Sequence, residues 1–193
     1  HPDGILLSNG PGSSEAEPEI VAEVKKLAES GVPIMGIDLG HLMLASAMGG
    51  GLIKLKHGHR GANQPVRYLP TDRVYISSQN HGYAVSMDAL PQGAEVTFVN
   101  LNDGSCEGLL YEKLPALSVQ FRPGNDEGMV DTGFLFDQFM KMMEVDENAA
   151  ESGSQEGNGD WFRSLTMRER RPAAHCRRRA WKSFSLTRIR QQL

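Results

Sequence analysis

Apolar runs and polar punctuation alternate along the first part of the chain with two different periods. Gly4 to Ser8 (GILLS) is a short apolar run that ends in the turn-forming NGPGSS. From Glu15 to Ser30 the apolar residues Ile20, Val24 and Leu27 recur at helical spacing, with Ser14 and Glu17 placed to cap the start and Gly31 to stop the end. Val32 to Ile37 repeats the buried-strand pattern. Leu39 to Met48 is then a nearly all-apolar helix closed by Gly49, Gly50 and Gly51. Strand, helix, strand, helix predicts an α/β unit on a mostly parallel sheet flanked by helices.

Beyond Gly51 the rhythm changes. Val74 to Ile76, Glu95 to Leu101, Cys106 to Tyr111 and Ala116 to Phe121 read as strands separated by the turn signals QNHG, NDG and KLP, which predicts an attached antiparallel section. In Asp131 to Val145 the residues Leu135, Phe139, Met142 and Met143 share one stripe. That stripe reads as the core face of a closing helix, not as a ligand box.

Charge then divides the chain. Residues 1–160 carry 10 Lys and Arg against 23 Asp and Glu, whereas residues 161–193 carry 10 against the single Glu169. Between the acidic body and the basic tail, Asp146 to Asp160 (DENAAESGSQEGNGD) has the small, polar composition of a linker. The expected organisation is a domain over residues 1–145, an acidic linker over 146–160 and a basic, disordered tail over 161–193. Arg and aromatic residues alternate in that tail, a composition able to meet nucleic acid or an anionic surface, but Pro172 and poor helical spacing favour a plain extension. Cys106 and Cys176 are too few for a disulfide framework, and no apolar run reaches the roughly 20 residues of a membrane span. A cytoplasmic location is the expectation.

The chemistry-bearing stretch is Val32 to Gly50, VPIMGIDLGHLMLASAMGG. A residue between a buried strand and the first turn of a helix stands on a sharp elbow, raised over the sheet edge beside backbone N–H groups. Such a position suits a nucleophile, because the helix start lowers a thiol pKa and the next N–H can hold an oxyanion. Here the elbow residue is Asp38. A carboxylate there is either a nucleophile or simply a residue that tolerates unusual φ at a helix start.

Several stretches in order, DGILLSNGPG, VPIMGIDLGH, GHRGANQPV, VYISSQNHGYAV, VNLNDGSCEGL and SVQFRP followed by DTGFLFDQFM, make Gly4 to Val145 resemble the glutamine amidotransferase domain of the bacterial carbamoyl-phosphate synthase small subunit. The resemblance implies a flavodoxin-like fold of the class I amidotransferase type, here without its first strand and helix units. It also implies glutamine hydrolysis through a cysteine thioester, no cofactor, and a partner, the large synthetase subunit, to which the ammonia passes. The family's GICLGHQ puts its cysteine on Asp38 and its glutamine-contacting Gln on Leu42. Its QFHPEA puts the histidine base on Arg122 and the orienting glutamate on Gly124. All three triad members are therefore expected to be replaced, and a guanidinium cannot act as a base. Gly10, Gly12 and Leu39 match the family's oxyanion and substrate-backbone contacts, and Asn80, Gly82 and Tyr83 match residues around the bound glutamine.

The expectation is thus a domain that has lost glutaminase activity, binds glutamine weakly or not at all, and supports a large subunit. The alternatives are an active glutamine-hydrolysing subunit or an Asp-nucleophile hydrolase. Opposite charges at the former thiol and imidazole positions predict an Asp38 to Arg122 ion pair. His41, His57, His59 and His81 match no compact metal spacing, so no metal site is expected, and His57 and His59 are placed on a loop.

Overall fold

The computed structural model describes residues 2–10, 18–124, 132–152 and 182–184. Within them β1 (Ile5–Leu7), α1 (Pro18–Glu29), β2 (Ile34–Ile37) and α2 (Leu39–Ala47) follow the predicted alternation. Then come β3 (Leu52–Tyr68), β4 (Arg73–Val85), β5 (Ala94–Asn100), β6 (Cys106–Tyr111), β7 (Ala116–Val119), α3 (Phe134–Ser152) and β8 (Lys182–Phe184). The helix caps expected at Ser14 and Glu17 lie outside the described residues.

The mostly parallel, flavodoxin-like sheet is not what forms. Strands run in the order β4-β3-β5-β6-β7-β2-β1-β8, and β4 also pairs with β6, so that β3, β4, β5 and β6 close into a four-stranded antiparallel barrel. Parallel pairing is confined to β7–β2, β2–β1 and β1–β8. The physical reason lies in residues 52–85. Parallel strands need a crossover, whereas β3 and β4 are long neighbours joined by a tight turn and can only pair antiparallel. The loop expected around His57 and His59 and the turn expected at QNHG are strand interior instead. Through residues 57–64 and 77–82 these strands are polar on both faces, so periodicity conceals their continuation.

Two apolar clusters sandwich the parallel strands. One is built on α1 and α2 with Leu7, Val24, Met43 and Leu44. The other is built on α3 with Met35, Phe98, Val119 and Phe121. The predicted α3 stripe, Leu135, Phe139, Met142 and Met143, is buried in the second cluster. Helix α3 continues past residue 145 to Ser152, and Lys182–Phe184 of the basic segment lies parallel to β1. No helix among the described residues is long and apolar enough to cross a membrane.

The candidate site at the elbow and its neighbourhood

Glycine spacing builds the elbow. A Cβ on Gly40 would run into the Leu7 carbonyl, and one on Gly36 would stand 2.9 Å from the Gly40 carbonyl oxygen. Only glycines let α2 start this close to β1 and β2. The chain therefore has to turn sharply between them, and Asp38 takes φ 55° and ψ −110° as the N-cap of α2. That backbone region costs of order 1–3 kcal/mol for a residue with a side chain. Its N–H donates to the Val119 carbonyl at 2.9 Å, and its own carbonyl accepts from His41 and Leu42 at 3.1 and 3.3 Å, which locks the turn to β7 and α2.

The Asp38 side chain makes no cap bond. Its Oδ1 accepts from Gln120 Nε2 at 3.3 Å. Burial raises its pKa to about 6, with the Arg122 charge and the Gln120 bond pulling the other way. The expected ion pair is not formed. Arg122 is exposed, is held by its backbone to Ser78, and reaches the carboxylate only as a more distant charge. Burial of Asp38 is incomplete, so solvent competes for the guanidinium, and little is gained by immobilising it.

Gly124 adopts φ 124°, a conformation open to glycine and strained for any other residue. Its N–H donates to Thr132 Oγ1 at 3.4 Å. Leu39 and Leu42 are buried in the α2 core cluster, against which Tyr83 packs. Asn80 is exposed on β4, and Gly82 lies beside Arg60. Gly10 follows β1, and Gly12 lies outside the described residues. The fold thus gathers Asp38, Leu39, Leu42 and Gln120 around one turn.

Sequence reasoning missed what stands next to the elbow. His41 is fully buried, its Nδ1 is 2.8 Å from Ser118 Oγ, and burial holds its pKa down at about 3, so it is a neutral ring. Gln120 joins the elbow to a second polar group, since its backbone N–H donates to the Glu107 carbonyl at 2.9 Å. Glu107, fully buried on β6, has His59 and His81 beside it. Cys106 to Tyr111 offers one hint, the lone acid Glu107 inside a run otherwise able to be buried. Cys106, the one cysteine among the described residues, is buried with its thiol pushed up to about 12 and is no nucleophile.

A cavity of about 350 Å³, lined by Tyr68, Phe98, Leu110, Leu117 and Leu135 among others, opens on the α3 side of the sheet, across from α2. Its walls are mainly apolar, broken by Glu95, Thr97, Ser118 and Gln138, and do not include Asp38.

Residues 1–142 match the glutamine amidotransferase class-I family model. Over 141 residues the chain is 50% identical to the carbamoyl phosphate synthase small chain of Methanocaldococcus jannaschii, covering 73% of this chain and 40% of that protein. Over 143 residues it is 48% identical to the chloroplastic small chain of Arabidopsis thaliana, covering 74% of this chain and 33% of that one. The chain spans less than half the length of these relatives. In fold it is similar to a protein from Thermoplasma acidophilum assigned as a GMP synthase component, at TM-score 0.66, 21% identity, and 77% and 76% coverage. A glutamine amidotransferase from Thermotoga maritima aligns at TM-score 0.52 and 17% identity, covering 83% of this chain and 75% of that one.

Proposed function

The chain belongs to the glutamine amidotransferase class-I family, and on that premise we propose that it is a small-chain-like domain that keeps the amidotransferase scaffold but has lost glutamine hydrolysis. Its remaining role is to support a carbamoyl-phosphate synthase large subunit. The observation that carries this reading is the elbow itself: the strained turn is intact, yet it presents a carboxylate where the family's chemistry needs a thiolate.

The groups around it support the same reading. Amide hydrolysis by this route needs a base to carry a proton to the leaving ammonia and a carboxylate to hold that base. Arg122, at the base position, is exposed and permanently charged. Gly124, at the orienting position, sits at a φ that a glutamate would adopt only under strain. His41 is the nearest imidazole on α2, but it is bonded to Ser118 and held neutral by burial. Leu42, buried in the core, offers no hydrogen bond to glutamine. A hydrogen bond to a charged substrate contributes about 1.5–3 kcal/mol, so its loss weakens glutamine binding.

Ammonia release from glutamine, measured for the full chain alone and with a large synthetase subunit, tests the reading. No release above the no-protein rate, together with complex formation by size-exclusion chromatography, is expected. Glutamine-dependent release would overturn it, and ¹⁸O transfer from solvent into Asp38 would identify a carboxylate nucleophile.

A further inference from the structure

Inside the barrel, polar side chains from three strands converge on one point. His59 of β3, His81 of β4 and Glu107 of β6 each bring a nitrogen or oxygen ligand atom within 4.8 Å of the other two. We propose that His59 Nδ1, His81 Nε2 and a Glu107 carboxylate oxygen form a site for a divalent first-row transition ion, Zn²⁺ foremost, that clasps the barrel at its seam.

The donor set is the first argument. Two imidazoles and one carboxylate suit zinc-like ions, and tetrahedral coordination with bonds near 2.0–2.2 Å places ligand atoms about 3.3 Å apart. Glu107 Oε1 is 3.1 Å from His59 Nδ1 and 3.9 Å from His81 Nε2, and the three ligand atoms lie within 4.8 Å of one another, so side-chain rotation that draws the imidazoles together brings them onto one ion.

Outer contacts are the second argument. Metal-bound histidines characteristically have their other ring nitrogen fixed by a carboxylate or a backbone carbonyl. Here His59 Nε2 is 2.9 Å from Asp103 Oδ2, and His81 Nδ1 is 2.8 Å from the Tyr83 carbonyl oxygen. Asp103 is in turn held by the Ser105 N–H and hydroxyl at 3.1 and 2.8 Å.

A third argument is a surplus of acceptors. Among the described residues Glu107 Oε2 is buried with no hydrogen-bond partner, although Oε1 accepts from Asn100. His81 faces two oxygens, the Tyr83 carbonyl through Nδ1 and Gln79 Oε1 at 3.0 Å through Nε2. A neutral ring can donate to only one of them. A cation held by the Glu107 carboxylate adds positive charge beside the orphan oxygen and takes the second nitrogen of His81, and Gln79 Oε1 or a water supplies the fourth ligand.

The backbone is arranged for this meeting. From Lys54↔Tyr83 to His59↔His81, five steps on β3 face two on β4. A regular ladder would set Lys56 opposite His81, and the bulge replaces it with His59. At this end the barrel closes through the single pair Val85↔Cys106, next to Glu107, which is where an ion joining β3, β4 and β6 adds most. The half-exposed Asp103 gives an entry path.

Chelator-stripped full-length chain is titrated with Zn²⁺ alone and with Co²⁺ alone. The site requires one equivalent bound, Co²⁺ d–d bands of four-coordinate intensity without thiolate charge transfer, and a Tm that rises with metal concentration. Glu107→Gln and His81→Gln each weaken binding at least tenfold. Asp103→Asn weakens it about 10–100-fold. His57→Gln, an exposed histidine outside the cluster, and Cys176→Ser leave it unchanged. If the buried variants do not fold, Asp103→Asn and the wild-type Co²⁺ spectrum decide. Absence of stoichiometric binding, a six-coordinate aqua-type spectrum, or binding lost on His57→Gln would show a self-contained hydrogen-bond network and overturn the proposal.

Discussion

The elbow at Asp38 and the cluster at Glu107 are neighbours joined through Gln120, yet they are organised in opposite ways. At the elbow the backbone is specialised, with glycine contacts, a strained φ and a helix start, while the side chains bear no cooperating chemistry. At the cluster the backbone is irregular as well, with register shifts on β3 either side of His59 and positive φ at Gly58 and Gly61, but there the side chains are interlocked, with each imidazole oriented by a second group. A strained backbone can therefore persist as scaffold after its chemistry is gone, whereas a buried polar network holds together only while its members complement each other.

The sharpest way to break this contrast is at the elbow's backbone. Gly40→Val would drive a side chain into Leu7 and should destabilise by about 3 kcal/mol or more. Chemical denaturation checks it, and a well-folded variant would show the close approach to be dispensable.

Asp38→Asn comes next. The folded-state pKa of Asp38 is raised from 3.8 to about 6, so the folded state holds its proton more tightly, and ionisation opposes folding as pH rises through that window. The substitution should stabilise by about 3 kcal/mol at most above pH 6, since two pKa units correspond to about 2.7 kcal/mol, and the gain should vanish below pH 4. A gain independent of pH would refute burial as the cause.

The cluster answers to pH in a different range. Glu107, and then Asp103, raise the His59 pKa above its ordinary 6.5 against the effect of burial. Its contribution is fully present below pH 6.5 and is lost as pH rises through the raised value. His59→Gln in metal-free protein should therefore remove an alkaline stability loss that Asp38→Asn leaves in place. NMR titration of the ring checks the direction.

The smallest effect is expected at Arg122. Because it is exposed and makes no ion pair with Asp38, Arg122→Ala should change stability by less than about 0.5 kcal/mol. A double-mutant cycle with Asp38 giving more than about 1 kcal/mol would restore the ion pair in solution.

Different parts of this molecule were legible to different degrees. The α3 stripe could be read from its apolar period, and β2 and α2 from continuous apolar runs punctuated by glycines, signals carried by residues a few positions apart. Of the barrel, an antiparallel section with β5, β6 and part of β4 could be read, but not its closure, because β3 and β4 are polar through their middles and the cue for their pairing is a distant partner, not a local period. His59 and His81 were visible as residues but not as a pair, since Gly58 marks an irregularity without fixing which residue it brings opposite His81. Glu107 had no visible partners at all.

By itself the sequence determined the elbow: Gly36 and Gly40 flank Asp38 on a strand and a helix, and steric exclusion at those glycines acts over a handful of residues. It also determined that no thiol stands there. Only the tertiary structure decided that Arg122 stays in solvent instead of pairing with Asp38, and that two histidines and a glutamate from separate strands share one interior. Those outcomes depend on burial and strand register, which are set by contacts between residues far apart in the chain.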